Sequence, residues 1–161
     1  MMDLNTLYRK YAPDVHRFAF YLSGNRAEAE DITAETFVRI WTSPGRIEIA
    51  TVKGYLFTIA RNLFLQGRRK GSTHTGMTEG LQHELRDPGA SPQARIEQKE
   101  EFEAVMEGLQ RLPELDRAAL LMRALDGMPY EEIARALGIT LASVKVKIHR
   151  ARLALAGIRN A

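Results

Sequence analysis

The stretch from Pro129 to Gly157, PYEEIARALGITLASVKVKIHRARLALAG, constrains the fold more than any other part of the chain. It reads as a short helix, a turn at Gly138, and a longer helix whose first orphan amides the Thr140 hydroxyl can satisfy. From Leu141 to Gly157 the charged residues are Lys145, Lys147, Arg150 and Arg152, with no acid among them. Like charges on one helix repel each other unless a polyanion is the partner, so the pattern points to a helix-turn-helix for DNA. Projection at about 100 degrees per residue puts Val144, Ile148, Ala151, Leu155 and Ile158 on one apolar stripe. Ala142, Val146 and His149 lie opposite, flanked by Ser143 and Arg150 on one side and by Lys145 and Arg152 on the other. From that face Lys145 and Arg150 can reach phosphate or guanine, Ser143 base or backbone, Val146 a thymine methyl, and His149 a base or phosphate.

Upstream, Leu4, Leu7, Tyr8, Tyr11, Val15, Phe18, Ala19 and Leu22 recur at the spacing of an amphipathic helix, with Pro13 expected to kink or restart it. Ser23-Gly24-Asn25 closes that helix and caps a second, from about Arg26 to Trp41. Its inward side is Ala29, Ile32, Phe37, Ile40 and Trp41, while Asp31, Ala34, Glu35 and Arg39 face outward, as a solvated face or a docking surface. A third helix, Val52 to about Arg69, buries Tyr55, Leu56, Ile59, Leu63 and Phe64. Through Lys70 its charges are again of one sign: Lys53, Arg61, Arg68, Arg69 and Lys70. Complementing the helix dipole accounts for the last three of these cations but not for Lys53 or Arg61. With Tyr55 and Asn62 they are the ingredients for binding phosphate, stacking a base and bonding its edge.

Residues 71–91 are rich in glycine and small polar residues without apolar period, the composition of a tether. Ser91-Pro92 caps a helix reaching about Arg111, with Phe102, Val105, Met106 and Leu109 on one face. Its outer acids, Glu97, Glu100, Glu101, Glu103 and Glu107, form a solvated face or a shield for the cationic helices. Glu114 to Asp126 is a further helix, with Leu115, Ala118, Ala119, Leu121, Met122 and Leu125 inward. The expected architecture is all-α: two small helical domains, 1–70 and 92–161, joined by a flexible linker at 71–91, the second ending in the helix-turn-helix.

The chain of 161 residues contains no cysteine, which removes thiolate chemistry and cysteine-based zinc sites. His16, His74, His83 and His149 lack ligand spacing, so neither metal nor cofactor is expected. No glycine-rich phosphate loop or recognisable triad suggests an enzyme. No apolar run approaches the roughly 18 residues of a membrane span, and a cytoplasmic protein is expected.

Two cationic helices on two helical lobes resemble the extracytoplasmic-function (ECF) class of bacterial sigma factors. AEDITAETFVRIW (Ala29 to Trp41) and GYLFTIARNLFLQGRRK (Gly54 to Lys70) are similar to the family's region 2. Arg111 to Leu155 is similar to its region 4. The resemblance implies a subunit that binds core RNA polymerase and directs it to promoter DNA. It implies that Asp31, Glu35 and Arg39 dock on the polymerase clamp, with Ala34 standing where the family commonly has glutamine. Arg46, Lys53, Tyr55, Arg61 and Asn62 would handle the minus-10 element, capturing an extruded base. Ser143, Lys145, Val146, His149 and Arg150 would read the minus-35 element, with Ala142-Ser143 in place of the usual glycine-threonine. An anti-sigma factor is an implied further partner. The alternatives are a helix-turn-helix regulator acting without polymerase, and a sigma-like decoy that binds only an anti-sigma factor.

Overall fold

The computed structural model describes residues 3–42, 51–70 and 91–159, and these form helices without a strand. Residues 71–90 of the tether expected at 71–91, and the loop at 43–50 that carries Arg46, lie outside the described residues. The helices are α1 (Leu4–Ser23), α2 (Arg26–Thr42), α3 (Val52–Arg69), α4 (Pro92–Arg111), α5 (Glu114–Asp126), α6 (Tyr130–Leu137) and α7 (Leu141–Arg159).

Local chemistry sets their ends. The Asp3 carboxylate accepts from the Thr6 amide at 2.7 Å, Asn25 Oδ1 from Glu28 at 2.8 Å, and Thr140 Oγ1 from Ser143 at 3.1 Å. Gly138 turns the chain between α6 and α7 at φ 67°, a conformation that costs a side-chain-bearing residue strain. Pro13 neither breaks nor restarts α1, which runs continuously through it. Pro13 lies on the exposed side, where water can satisfy the carbonyl that loses its helical donor.

In the N-terminal lobe α1, α2 and α3 enclose Phe18, Leu22, Ala29, Ile32, Phe37, Ile40, Leu56, Phe57, Ala60 and Phe64. The rings of Phe18 and Phe57 stack with centroids 4.6 Å apart. Thr33 and Thr36 are buried as well, their hydroxyls returned to the carbonyls of Ala29 and Ile32 at 2.7 Å each. Trp41, expected inward, is 71% exposed. The stripe of α3 is also rotated from expectation: Phe57 and Ala60 are buried, whereas Tyr55, Ile59 and Leu63 are only half-buried.

The C-terminal lobe is built around α5. Its five consecutive residues Ala118 to Met122 are all buried, because α1, α4, α6 and α7 all pack around this helix. Met106, Ile133, Val144, Ile148 and Ala151 complete this part of the core, while Val105, expected inward on α4, is exposed. Two charged residues of α5 are also inside. Asp116 accepts a two-pronged bond from Arg150, Nε at 2.7 Å and Nη2 at 2.9 Å, with Lys147 Nζ 3.9 Å away. Arg117 donates to the carbonyls of Leu109 and Gln110, and burial works against its charge more than nearby Glu114 supports it.

The two lobes are not separate in space. Phe102 of α4 meets Phe20 and Tyr21 of α1 with centroids 6.5 and 6.1 Å apart, and Gln110 Nε2 donates to the Tyr21 carbonyl at 2.9 Å. One continuous apolar core therefore runs through both.

Phe57→Ala removes a fully buried ring and should lower the unfolding free energy in urea by about 3–5 kcal/mol. Arg150→Ala strands the buried Asp116 carboxylate and should lower the melting temperature, whereas Lys145→Ala should leave it unchanged.

Candidate nucleic-acid interface

On α7 the outward strip is Ala142, Val146, His149 and Leu153, all exposed, with Val146 at 60% and Leu153 at 62%. Lys145 is exposed beside them and Ser143 is half-buried at the helix start. Leu153 extends the strip and escaped the sequence reading, although its seven-residue spacing from Val146 places it there. Arg150 projects from the flank, and its guanidinium is the one that grips Asp116. That bond to Asp116 raises its pKa above the ordinary arginine value.

The cations of α3 divide between two sides. Lys53 and Arg61 lie on the flank that faces the C-terminal lobe. Lys53 Nζ sits 3.3 Å from Asp14 and 3.5 Å from Asp126, and these carboxylates outweigh the burial that opposes its charge. Arg61 makes a two-pronged bond to Glu114, both distances 2.7 Å. Tyr55 and Asn62 lie about half a turn away, Tyr55 half-buried and Asn62 exposed.

An open groove between α2 and α3 adjoins Asn62. Arg39, Leu65, Gln66, Arg68 and Arg69 line the rest of it. Arg39 donates to Gln66 Oε1 at 3.4 Å and lies 3.5 Å from Glu35. Arg68 donates to the Ser23 carbonyl at 3.1 Å, pairs with Glu28 at 3.4 Å and stacks over the Phe64 ring. The structure thus gathers Asn62, Gln66, Arg39 and Arg69 into one basic, amide-bearing groove. Gln66 and Arg69 were not singled out as base or phosphate contacts from sequence. Gln66 stands one helical turn beyond Asn62 on the same face, and that spacing was the available signal.

The third surface is the outer face of α2, where Asp31, Ala34 and Glu35 are exposed. Against it lies a shallow apolar groove lined by Leu4, Asn5, Tyr8, Ala34, Phe37, Val38 and Trp41. Tyr8 and Val38 are each 49% exposed, so with Trp41 three large apolar side chains face water next to an acidic strip. Such a patch marks an interaction site more often than it serves stability. Its aromatic anchor, Trp41, had been placed in the core.

Residues 7–73 match the family model for sigma-70 region 2, and residues 102–155 match that for sigma-70 region 4. The chain is 36% identical over 156 residues to the ECF RNA polymerase sigma factor SigE of Mycolicibacterium smegmatis, covering 94% of this chain and 60% of that protein. It is 30% identical to the ECF RNA polymerase sigma factor SigM of Bacillus subtilis, covering 99% and 96% of the two chains. The fold resembles the sigma factor RpoE of Bartonella quintana, solved in complex with the anti-sigma factor NepR, at a TM-score of 0.75, 22% identity and coverage of 96% and 94%. It also resembles CnrH, solved with the cytosolic domain of CnrY, at a TM-score of 0.71, 20% identity and coverage of 98% and 87%. With both regions present in order and a relative matched along nearly its whole length, the chain belongs to the ECF RNA polymerase sigma factors, which direct RNA polymerase to promoters.

Proposed function

We propose that this chain works through three surfaces of its own: the outer face of α2 on core polymerase, the α2–α3 groove on the minus-10 strand, and the outer strip of α7 in the minus-35 major groove. The observation that carries this reading is that two cationic surfaces on different lobes accompany an acidic and apolar face that no DNA would favour. DNA repels Asp31 and Glu35, so their face suits a protein. Trp41, Val38 and Tyr8 supply the desolvated anchors that such an interface needs.

The division of labour follows the geometry. Asp31 and Glu35 with Trp41 form the polymerase contact, and Arg39 sits between that contact and the groove. Tyr55 and Asn62 take an extruded base, helped by Gln66, while Arg69 and Arg46 serve the backbone. Lys53 and Arg61 lie beside this face on the flank that the C-terminal lobe covers. In the minus-35 element Ser143, Lys145, Val146 and His149 read or position, and Arg150 holds α7 against Asp116. The domain division at 1–70 and 92–161 is supported by the two matched regions. The solved relatives bound to anti-sigma factors support a partner of that class here. Among the described residues no helix is long and apolar enough to cross a membrane.

Run-off transcription with core polymerase over a promoter library tests the reading: specific starts should appear only when the chain is added. Tight binding to duplex operators without polymerase, together with no initiation, would replace it with a regulator acting alone. Asp31→Ala with Trp41→Ala should weaken core binding in a pull-down, while Asn62→Ala should leave that binding intact and slow promoter opening. Lys145→Ala should weaken upstream binding evenly across sequences and reduce the salt slope by about 1, whereas Val146→Ala should change preference at one upstream position.

A further inference from the structure

Of the two amides that line the α2–α3 groove, Asn62 and Gln66, only Gln66 is held in one orientation by a described residue. Arg39 Nη2 donates to its Oε1 at 3.4 Å, and Arg39 Nε in turn lies 3.5 Å from Glu35 one turn earlier on α2. Arginine carries donors and no acceptor, so the atom of Gln66 that meets Arg39 must be the oxygen. A free glutamine amide can turn over and offer either end to a ligand. This one cannot do so without setting its NH2 against a guanidinium. The end left to the groove is Nε2, which has no protein partner among the described residues.

The surroundings suit a base edge at this end of the groove. Half-buried Leu65 gives the groove an apolar side, and Asn62 stands one turn before Gln66 on the same face. Arg68 is engaged by the Ser23 carbonyl, Glu28 and the Phe64 ring, while Arg69, exposed at the rim, is left for phosphate. Among the groups a base edge presents, the exocyclic one divides the bases by polarity. It is a carbonyl oxygen on thymine and guanine, and an amino group on cytosine and adenine. A donor fixed in place bonds the first pair and meets the second with N–H against N–H. The familiar two-pronged pairing of glutamine with adenine needs Oε1 as well as Nε2, and here Arg39 occupies the Oε1 side. Groups left unpaired in a desolvated contact cost more than a hydrogen bond gains, so a fixed amide discriminates where a turning one does not.

We propose that Gln66 is a specificity determinant for the minus-10 strand whose hydrogen-bond polarity Arg39 sets: Gln66 Nε2 donates to the exocyclic oxygen of an unpaired thymine or guanine. Arg39 is then a positioning residue, acting on the base only through the amide it orients. Glu35 steadies it from the other side, at 3.5 Å. Asn62, whose amide no described residue holds, can turn to suit any base and adds binding without this choice. The inference rests on the reading of the α2–α3 groove as the site of the minus-10 strand.

Open complexes formed by core polymerase and the full chain on a promoter library randomised over the minus-10 element, recovered and sequenced, read the base preference at every position. At one position thymine and guanine should exceed cytosine and adenine by about three- to tenfold, the worth of one hydrogen bond. Gln66→Glu, whose second carboxylate oxygen can only accept once Arg39 holds the first, should exchange the two pairs at that position and at no other. Arg39→Glu should make the same exchange with Gln66 intact, because a carboxylate there draws the amide nitrogen and turns Oε1 to the strand. A merely structural role for Arg39 would lower the yield of open complexes without exchanging bases. That result, or an unaltered preference in both variants, would overturn the proposal. Asn62→Ala separates this failure from failure of the underlying reading. If it lowers the yield of open complexes while neither variant exchanges bases, the polarity assigned to Gln66 is wrong and the groove still holds the strand. No effect of Asn62→Ala, with no exchange in either variant, would remove the strand from this groove.

Discussion

A helix packed on nearly every side must find partners for its charges on other helices. α5 is in that position, with seven consecutive residues buried, Asp116 to Met122, and charges at Glu114, Asp116, Arg117, Arg123 and Asp126. Burial of an unpaired charge costs several kcal/mol, so each of these residues dictates something around it. Asp116 fixes α7 through Arg150 and thereby sets which side of α7 faces outward. Arg117 ties α4 through the carbonyls of Leu109 and Gln110, and Arg123 holds the turn into α6 through the carbonyls of Gly127 and Met128. Glu114 and Asp126, one at each end of α5, reach across to α3 and α1. The orientation of the DNA-reading helix and the closure of the lobes thus both depend on satisfying the charges of one helix.

Much of this was legible in the sequence, and the reason is local. Helix ends follow from Asn25, Ser91 and Thr140, whose side chains act within three residues. The stripe Val144, Ile148, Ala151 follows from helical period alone. What failed needed knowledge of neighbours. Trp41 fits an inward stripe on α2, yet none of the described residues covers it, which suits the anchor role proposed for it. Asp116 and Arg117 read as ordinary surface charges until their partners, 34 residues away for Asp116, are brought in by the fold. The groove containing Arg39, Asn62 and Gln66 joins two helices, and periodicity on either one cannot show that they meet.

The cationic runs teach the same lesson. On α3 the sequence shows four positive charges and no acid, which reads as one nucleic-acid face. The structure separates them by direction. Lys53 and Arg61 meet carboxylates, Arg68 meets Glu28 and a carbonyl, and Arg69 remains exposed beside the groove. A helix presents any stretch of two turns to all directions, so a count of charges cannot distinguish a reader from a clasp. On α7 Arg150 and Lys147 turn toward Asp116, while Lys145 stays outward.

Ion pairs are a poor choice for making an interface as stable as it can be, because replacing a buried pair by well-packed apolar residues is often neutral or stabilising. They are a good choice for an interface that must come apart in water. When Arg61 and Glu114 separate, each is fully soluble, and polar lobe interfaces of this kind admit relative motion and weaken with salt. An apolar seam in the same place would leave a patch prone to association each time the lobes parted. Apolar contacts cross the lobes as well, Phe102 on Phe20 and Tyr21 among them, within one continuous core. The contact between the lobes therefore combines charge pairs that water can dissolve with aromatic packing that it cannot.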